Sequence, residues 1–119
     1  KKQTTTPTPP TPDPGATHPD SAIQPVTGVK ITGVLIQGSN VKVDGNVTLE
    51  QPQKRNLQGT LTLAYGSGFT APTEFTVKAA GNTKLNSFTE TVPYDSTQSG
   101  LVLASVTIES KTDQFFLLM

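Results

Sequence analysis

Two antiparallel sheets packed face to face, an all-β sandwich of about seven strands, is the fold class this sequence predicts, and three observations predict it. Between residue 26 and the C-terminus, short runs alternate apolar and polar residues with the period of two that a half-buried strand requires. Clusters of Gly, Asn, Ser and Pro separate these runs at intervals of 8–16 residues. No stretch shows the i, i+3, i+4, i+7 apolar stripe of an amphipathic helix.

The first two strands come from residues 29–49. With Gly38-Ser39-Asn40 as a three-residue turn, antiparallel pairing sets Leu35 opposite Val43, Ile31 opposite Val47, Val29 opposite Leu49 and Gly33 opposite Gly45. Lys30, Thr32, Lys42, Asp44, Asn46 and Thr48 then share the outer face. A hairpin at Asp44-Gly45 would split Val43 and Val47 between faces, a slip that a one-sided core penalises. Residues 41–50 are therefore expected as one strand.

Pro52, with no N–H for a ladder, places 51–56 in a loop. A third strand carries Leu57, Gly59, Leu61, Leu63 and Tyr65 on its inner face, and Gly66-Ser67-Gly68 turns the chain. Residues 69–73 contain Pro72 and read as an edge segment or part of a loop. Phe75, Val77 and Ala79 define strand four, and Gly81-Asn82-Thr83 the next turn. In strand five, residues 85–92, Leu85 and Phe88 differ in parity, which a bulge near Ser87 would reconcile. After a loop at 93–100, strand six (101–109) sets Val102, Ala104, Val106 and Ile108 on one face, with Leu101 and Leu103 on the other. Residues 110–114 are expected to turn into a terminal strand, 115–119. The pattern suits an immunoglobulin-like or transthyretin-like sandwich, with a small closed barrel as the second solution.

Residues 1–25 are different material. They hold seven of the ten prolines and six threonines, with only Ala16, Ala22 and Ile23 as other apolar residues. Such a segment buries too little surface to offset its ordering entropy, and its prolines favour an extended chain near polyproline II. It is expected to be a disordered tether, with the sandwich beginning at residue 26. In composition it resembles the Pro/Thr-rich spacer that follows the lipid-modified cysteine of bacterial outer-surface lipoproteins. The resemblance implies an extracytoplasmic domain on a surface or secreted, held to a membrane only through an anchor outside this chain. A Pro/Thr linker between wall-associated or virion modules has the same composition.

Charge and chemistry narrow the function classes mainly by exclusion. Nine basic and nine acidic residues give a net charge of zero, so nothing steers the chain to nucleic acid or an anionic membrane. No apolar run approaches the roughly 20 residues needed to span a bilayer, and the chain opens on no signal-peptide pattern, as that of a mature or trimmed form would not. Without cysteine there are no disulfides or thiolate metal sites. The one histidine, His18, lies in the tail, which leaves a Ser–His–Asp or Cys–His arrangement without a base in the domain. Asp44, Glu50, Glu74, Glu90, Asp95, Glu109 and Asp113 match no calcium-loop spacing, and the oxygen-rich run at Asp95 reads as an Asx turn. No cofactor and no catalytic site are expected. Asn46-Val47-Thr48 fits a glycosylation acceptor, a triplet that also arises by chance.

Two function classes remain. The first is a non-catalytic module for protein–protein contact or self-association, in adhesion or assembly of a surface structure. Its candidate strand is Phe115, Phe116, Leu117 and Leu118, an apolar run at risk of exposure on an edge. The second is carbohydrate binding, with Tyr65, Phe69 and Tyr94 as the candidate rim around two neighbouring turns. Rings exposed together would favour the sugar; buried rings beside an exposed terminal strand would favour protein.

Overall fold

The structure, a computed structural model, describes residues 22–117, which form seven strands and no helix. They are β1 (Val26–Gln37), β2 (Asn40–Leu49), β3 (Lys54–Tyr65), β4 (Thr70–Ala80), β5 (Leu85–Pro93), β6 (Leu101–Ile108) and β7 (Lys111–Phe116). One sheet has the order β1-β2-β5 and the other β4-β3-β6-β7, with every pairing antiparallel. The expected sandwich is present, and the strand order is immunoglobulin-like. β4 extends the sheet of β3, β6 and β7, as the added C′ strand does in variable-type domains. Residues 1–21 of the expected tether, His18 among them, lie outside the described residues, as do Leu118 and Met119; Ala22–Pro25 is described.

The first hairpin is one residue tighter than the sequence suggested. Gly38 takes φ 59°, a positive value that glycine adopts freely and that suits a two-residue hairpin turn. Asn40 therefore pairs with Gln37 and belongs to β2. Val34, not Leu35, faces Val43, and Gly33 faces Asp44. An irregularity between Ile31 and Gly33 then restores inward parity, so that Ile31 meets Gly45 and Val29 meets Val47. Leu35 is left 53% exposed. β2 alternates as expected, Val41, Val43, Val47 and Leu49 being buried, although Glu50 falls beyond its end.

Three further expectations are corrected. β5 pairs with β2 without a bulge at Ser87. The parity conflict resolves because Leu85 faces solvent while Asn86 is buried. Asn86 meets its polar needs locally, its Oδ1 accepting from the Ala80 amide at 3.0 Å. In β6 the register shifts between the partners of Ala64 and Tyr65, leaving Val102 as the extra residue. That turns Leu101 into the core, where it is fully buried, instead of Val102. The terminal strand starts at Lys111, four residues early, because the turn after β6 is tight and Glu109 takes φ 55°. β4 accepts Pro72 because it is an edge strand.

Two glycines on the inner faces make room for two phenylalanines. A Cβ on Gly45 would sit 2.5 Å from the Phe88 ring, and one on Gly59 2.8 Å from the Phe75 ring. Each ring comes from the strand position directly opposite its glycine. The two rings meet across the sandwich with centroids 5.6 Å apart, so the β4–β5 side is closed there by an aromatic pair. The other side is tied by Asp113 of β7, whose Oδ2 accepts from the Ile31 amide of β1 at 2.8 Å.

Candidate functional site

The candidate residues gather at one end of the sandwich. Tyr94 N–H donates to Ser39 O of the β1–β2 turn, Tyr65 N–H to Phe69 O, Gly66 N–H to Gly100 O, and Leu117 N–H to Val102 O. These bonds bring the first hairpin turn, the 66–68 turn, the 94–100 loop and the end of β7 together. Ser67 Oγ adds a 2.6 Å bond to Gln98 Oε1 between the two loops.

Tyr65, Phe69 and Tyr94 cluster as expected. The Tyr65 ring stands between the other two, with centroids 5.9 Å from Phe69 and 5.8 Å from Tyr94. The cluster is not a shared exposed platform. Tyr65 is 2% exposed, Tyr94 packs half-buried against the core, and only Phe69 is open at 43%. Tyr65 follows Leu61 and Leu63 in parity, which commits its ring inward. Its hydroxyl accepts from the Asp95 amide at 2.9 Å and so fixes the loop. Asp95 makes the expected Asx turn, accepting from the Thr97 amide at 3.0 Å and from the Thr97 hydroxyl. Those bonds, the hydroxyl's first, hold its carboxyl below the ordinary carboxylate value.

On the other candidate, β7, Phe115 and Leu117 are half-buried against the core and Phe116 is 71% exposed. Leu118 is not described. Leu35 and Ile36 of neighbouring β1 are also exposed at this end. Sequence reading missed these two, because a one-residue error in register hid Leu35 in the core and nothing local distinguishes the two alignments.

The opposite end holds a polar clamp on the incoming chain. Arg55 donates to both carboxylate oxygens of Glu109, at 2.6 and 2.9 Å, and to Gln24 O at 2.7 Å. Gln53 accepts from the Gln24 amide at 2.8 Å and donates to Ala22 O at 2.9 Å. The Arg55 hydrogen bonds lower the Glu109 carboxyl below its ordinary value, more than its partial burial raises it.

Among the described residues no three His, Cys, Asp or Glu side chains converge as metal ligands do, and no helix is long and apolar enough to cross a membrane. Asn46 faces outward from β2 opposite Ser87. Compared with family models, curated proteins and solved structures, the chain finds no match in any of the three.

Proposed function

We propose that this chain is a non-catalytic extracytoplasmic module, held by its N-terminal segment, that works through protein–protein contact. The contact surface is the β1–β7 side at the end remote from the clamp, with Phe116, Leu35 and Ile36 as its apolar anchors. The single observation that carries the reading is the 71% exposure of Phe116 on an edge strand, next to a second edge strand that also exposes large apolar side chains. Such side chains on neighbouring strand edges suit burial against another protein. The clamp supports the geometry, because it holds Ala22 and Gln24 at the end of the sandwich opposite that surface. The extracytoplasmic part of the reading rests on the Pro/Thr-rich composition of residues 1–25.

Carbohydrate binding is the second reading, and the exposed Phe69 beside an apolar groove is what favours it. Burial of Tyr65 weighs against it, since the central ring of the cluster has no open face for a sugar.

Sedimentation velocity across a concentration series tests the contact reading. The wild-type chain is expected to self-associate in the micromolar to millimolar range, and Phe116→Asp to abolish this without changing the unfolding free energy by more than about 0.5 kcal/mol. If Phe116→Asp and wild type sediment alike at all concentrations, with neither associating, self-contact through this surface is refuted.

A further inference from the structure

The seam between β4 and β5 holds an apolar groove of about 360 Å³, walled by Leu63, Tyr65, Phe69, Ala71, Val92 and Pro93. It exists because β4 pairs only with β3 and β5 only with β2, so no strand fills the space between these edges. Toward the other end the Phe75–Phe88 pair closes the same seam. We infer that this groove is the docking site of the chain's own proline-rich run, residues 7–14, laid along the seam between Phe69 and Pro93.

Chemistry of the wall selects this occupant. Tyr65 is nine-tenths buried and more, and its oxygen already accepts from Asp95 N–H. Its hydroxyl is thus spent on fixing the loop, and the groove's open wall is the exposed Phe69 with Ala71, Val92 and Pro93. Residues 7–14 contain Pro7, Pro9, Pro10, Pro12 and Pro14. A run of that kind offers pyrrolidine rings to an apolar wall and backbone carbonyls that have no internal partner. It also brings few N–H groups that would be left unpaired on docking. Aromatic-lined grooves take proline-rich segments on these terms. A sugar would bring many hydroxyls to a wall whose polar side chains are Thr73, Asp95 and the already bonded Tyr65 hydroxyl, leaving most of them desolvated and unpaired.

Chain length fits the same occupant. The clamp fixes Ala22 and Gln24 beside Gln53 and Arg55, at the start of β3, and the groove lies at its other end, at Leu63 and Tyr65. β3 has 12 residues, a span of roughly 36 Å at about 3.3 Å per residue. Residues 14 and 7 precede Ala22 by 8 and 15 positions, which is roughly 25–46 Å at about 3.1 Å per residue. The run therefore reaches the groove with little slack. The site lies on the β4–β5 side, away from the β1–β7 contact surface, and the inference stands independently of that reading.

The absence of cysteine makes a clean test. A nitroxide on Thr8→Cys in the full chain is expected to broaden the amide signals of Phe69, Ala71, Val92 and Asp95 several-fold more than those of Asn46 and Thr48 at the opposite end of β2. In a background of Phe69→Ser, or of Pro9→Ser with Pro10→Ser, the preference should vanish while the spectrum stays dispersed. Uniform or absent broadening, or selective broadening that survives both backgrounds, overturns the inference. A mixture of isotope-labelled untagged chain with unlabelled tagged chain should show no selective broadening at low concentration. Equal broadening there assigns the groove to a second copy and also overturns it.

Discussion

Gly45 shows how one missing side chain organises its surroundings. The sequence placed it opposite Gly33, with a gap for a residue from the facing sheet. The gap is instead taken within its own sheet, by the Phe88 ring and the Lys30 carbonyl, which a Cβ would approach to 2.5 and 2.6 Å. A carbonyl of the neighbouring strand cannot rotate away as a side chain can, so any substitution there must move backbone. Gly45→Val is expected to cost about 3 kcal/mol or more, at or beyond the upper end of ordinary overpacking. A Cβ on Gly33 would meet nothing within 4 Å, and Gly33 has no positive φ. Gly33→Ala should therefore be neutral or stabilise by about 0.4–1 kcal/mol through the unfolded chain. Urea midpoints of the two variants check both signs. Equal effects would mean that the difference in surroundings does not govern stability here.

At the scale of the element, the legible strands are those whose inner residues are each flanked by polar ones. β2 reads Val41-Lys42-Val43-Asp44 and β4 reads Phe75-Thr76-Val77-Lys78, so a slip of one residue would bury charge. β1 carries Val34-Leu35-Ile36 and β6 carries Leu101-Val102-Leu103, where three consecutive apolar residues make alternative alignments look alike. In β6 the register shifts within that run, and in β1 it shifts between Ile31 and Gly33, just before it. β7 hid for the opposite reason, since Lys111-Thr112-Asp113-Gln114 looks like a loop until Asp113 is seen to serve β1. The ring cluster was legible from its position around two turns, whereas the pairing of Arg55 with Glu109, 54 residues apart, left no local trace. Asp113 carries the element-scale prediction. Asp113→Ala strands the Ile31 amide on the β1 edge and should cost about 1–3 kcal/mol. Asp113→Asn keeps an acceptor oxygen and should recover most of that. Denaturation midpoints together with Ile31 amide exchange measure it, and unchanged exchange in the alanine variant would show that water replaces the carboxylate fully.

Across the whole molecule the two ends are chemically unlike, with exposed apolar side chains at one and a charged clamp at the other, and each end has one carboxylate held below its ordinary value, Asp95 and Glu109. Glu109 has its pKa lowered in the folded chain, first by the hydrogen bonds from Arg55 and then by its charge. Its contribution to stability is therefore fully present above the unfolded value of about 4.3. The contribution declines as pH falls through the lower folded value. The pair keeps only partial solvent access, which still screens it, so the loss is modest and shrinks with salt. Protonating Glu109 leaves the Arg55 bond to Gln24 O and the Gln53 bonds in place. Acid should thus loosen the clamp without releasing the chain, whereas Arg55→Ala removes the Gln24 O and Glu109 contacts together. The expected result is a stability difference between wild type and Glu109→Gln that is present at pH 7 and declines steadily as pH falls below about 4.3. Backbone relaxation should show Gln24 and Val26 gaining motion in Arg55→Ala at every pH, with Tyr65 and Tyr94 unaffected. A wild-type to Glu109→Gln difference that persists unchanged at pH 3 would mean the glutamate stabilises by packing rather than by charge.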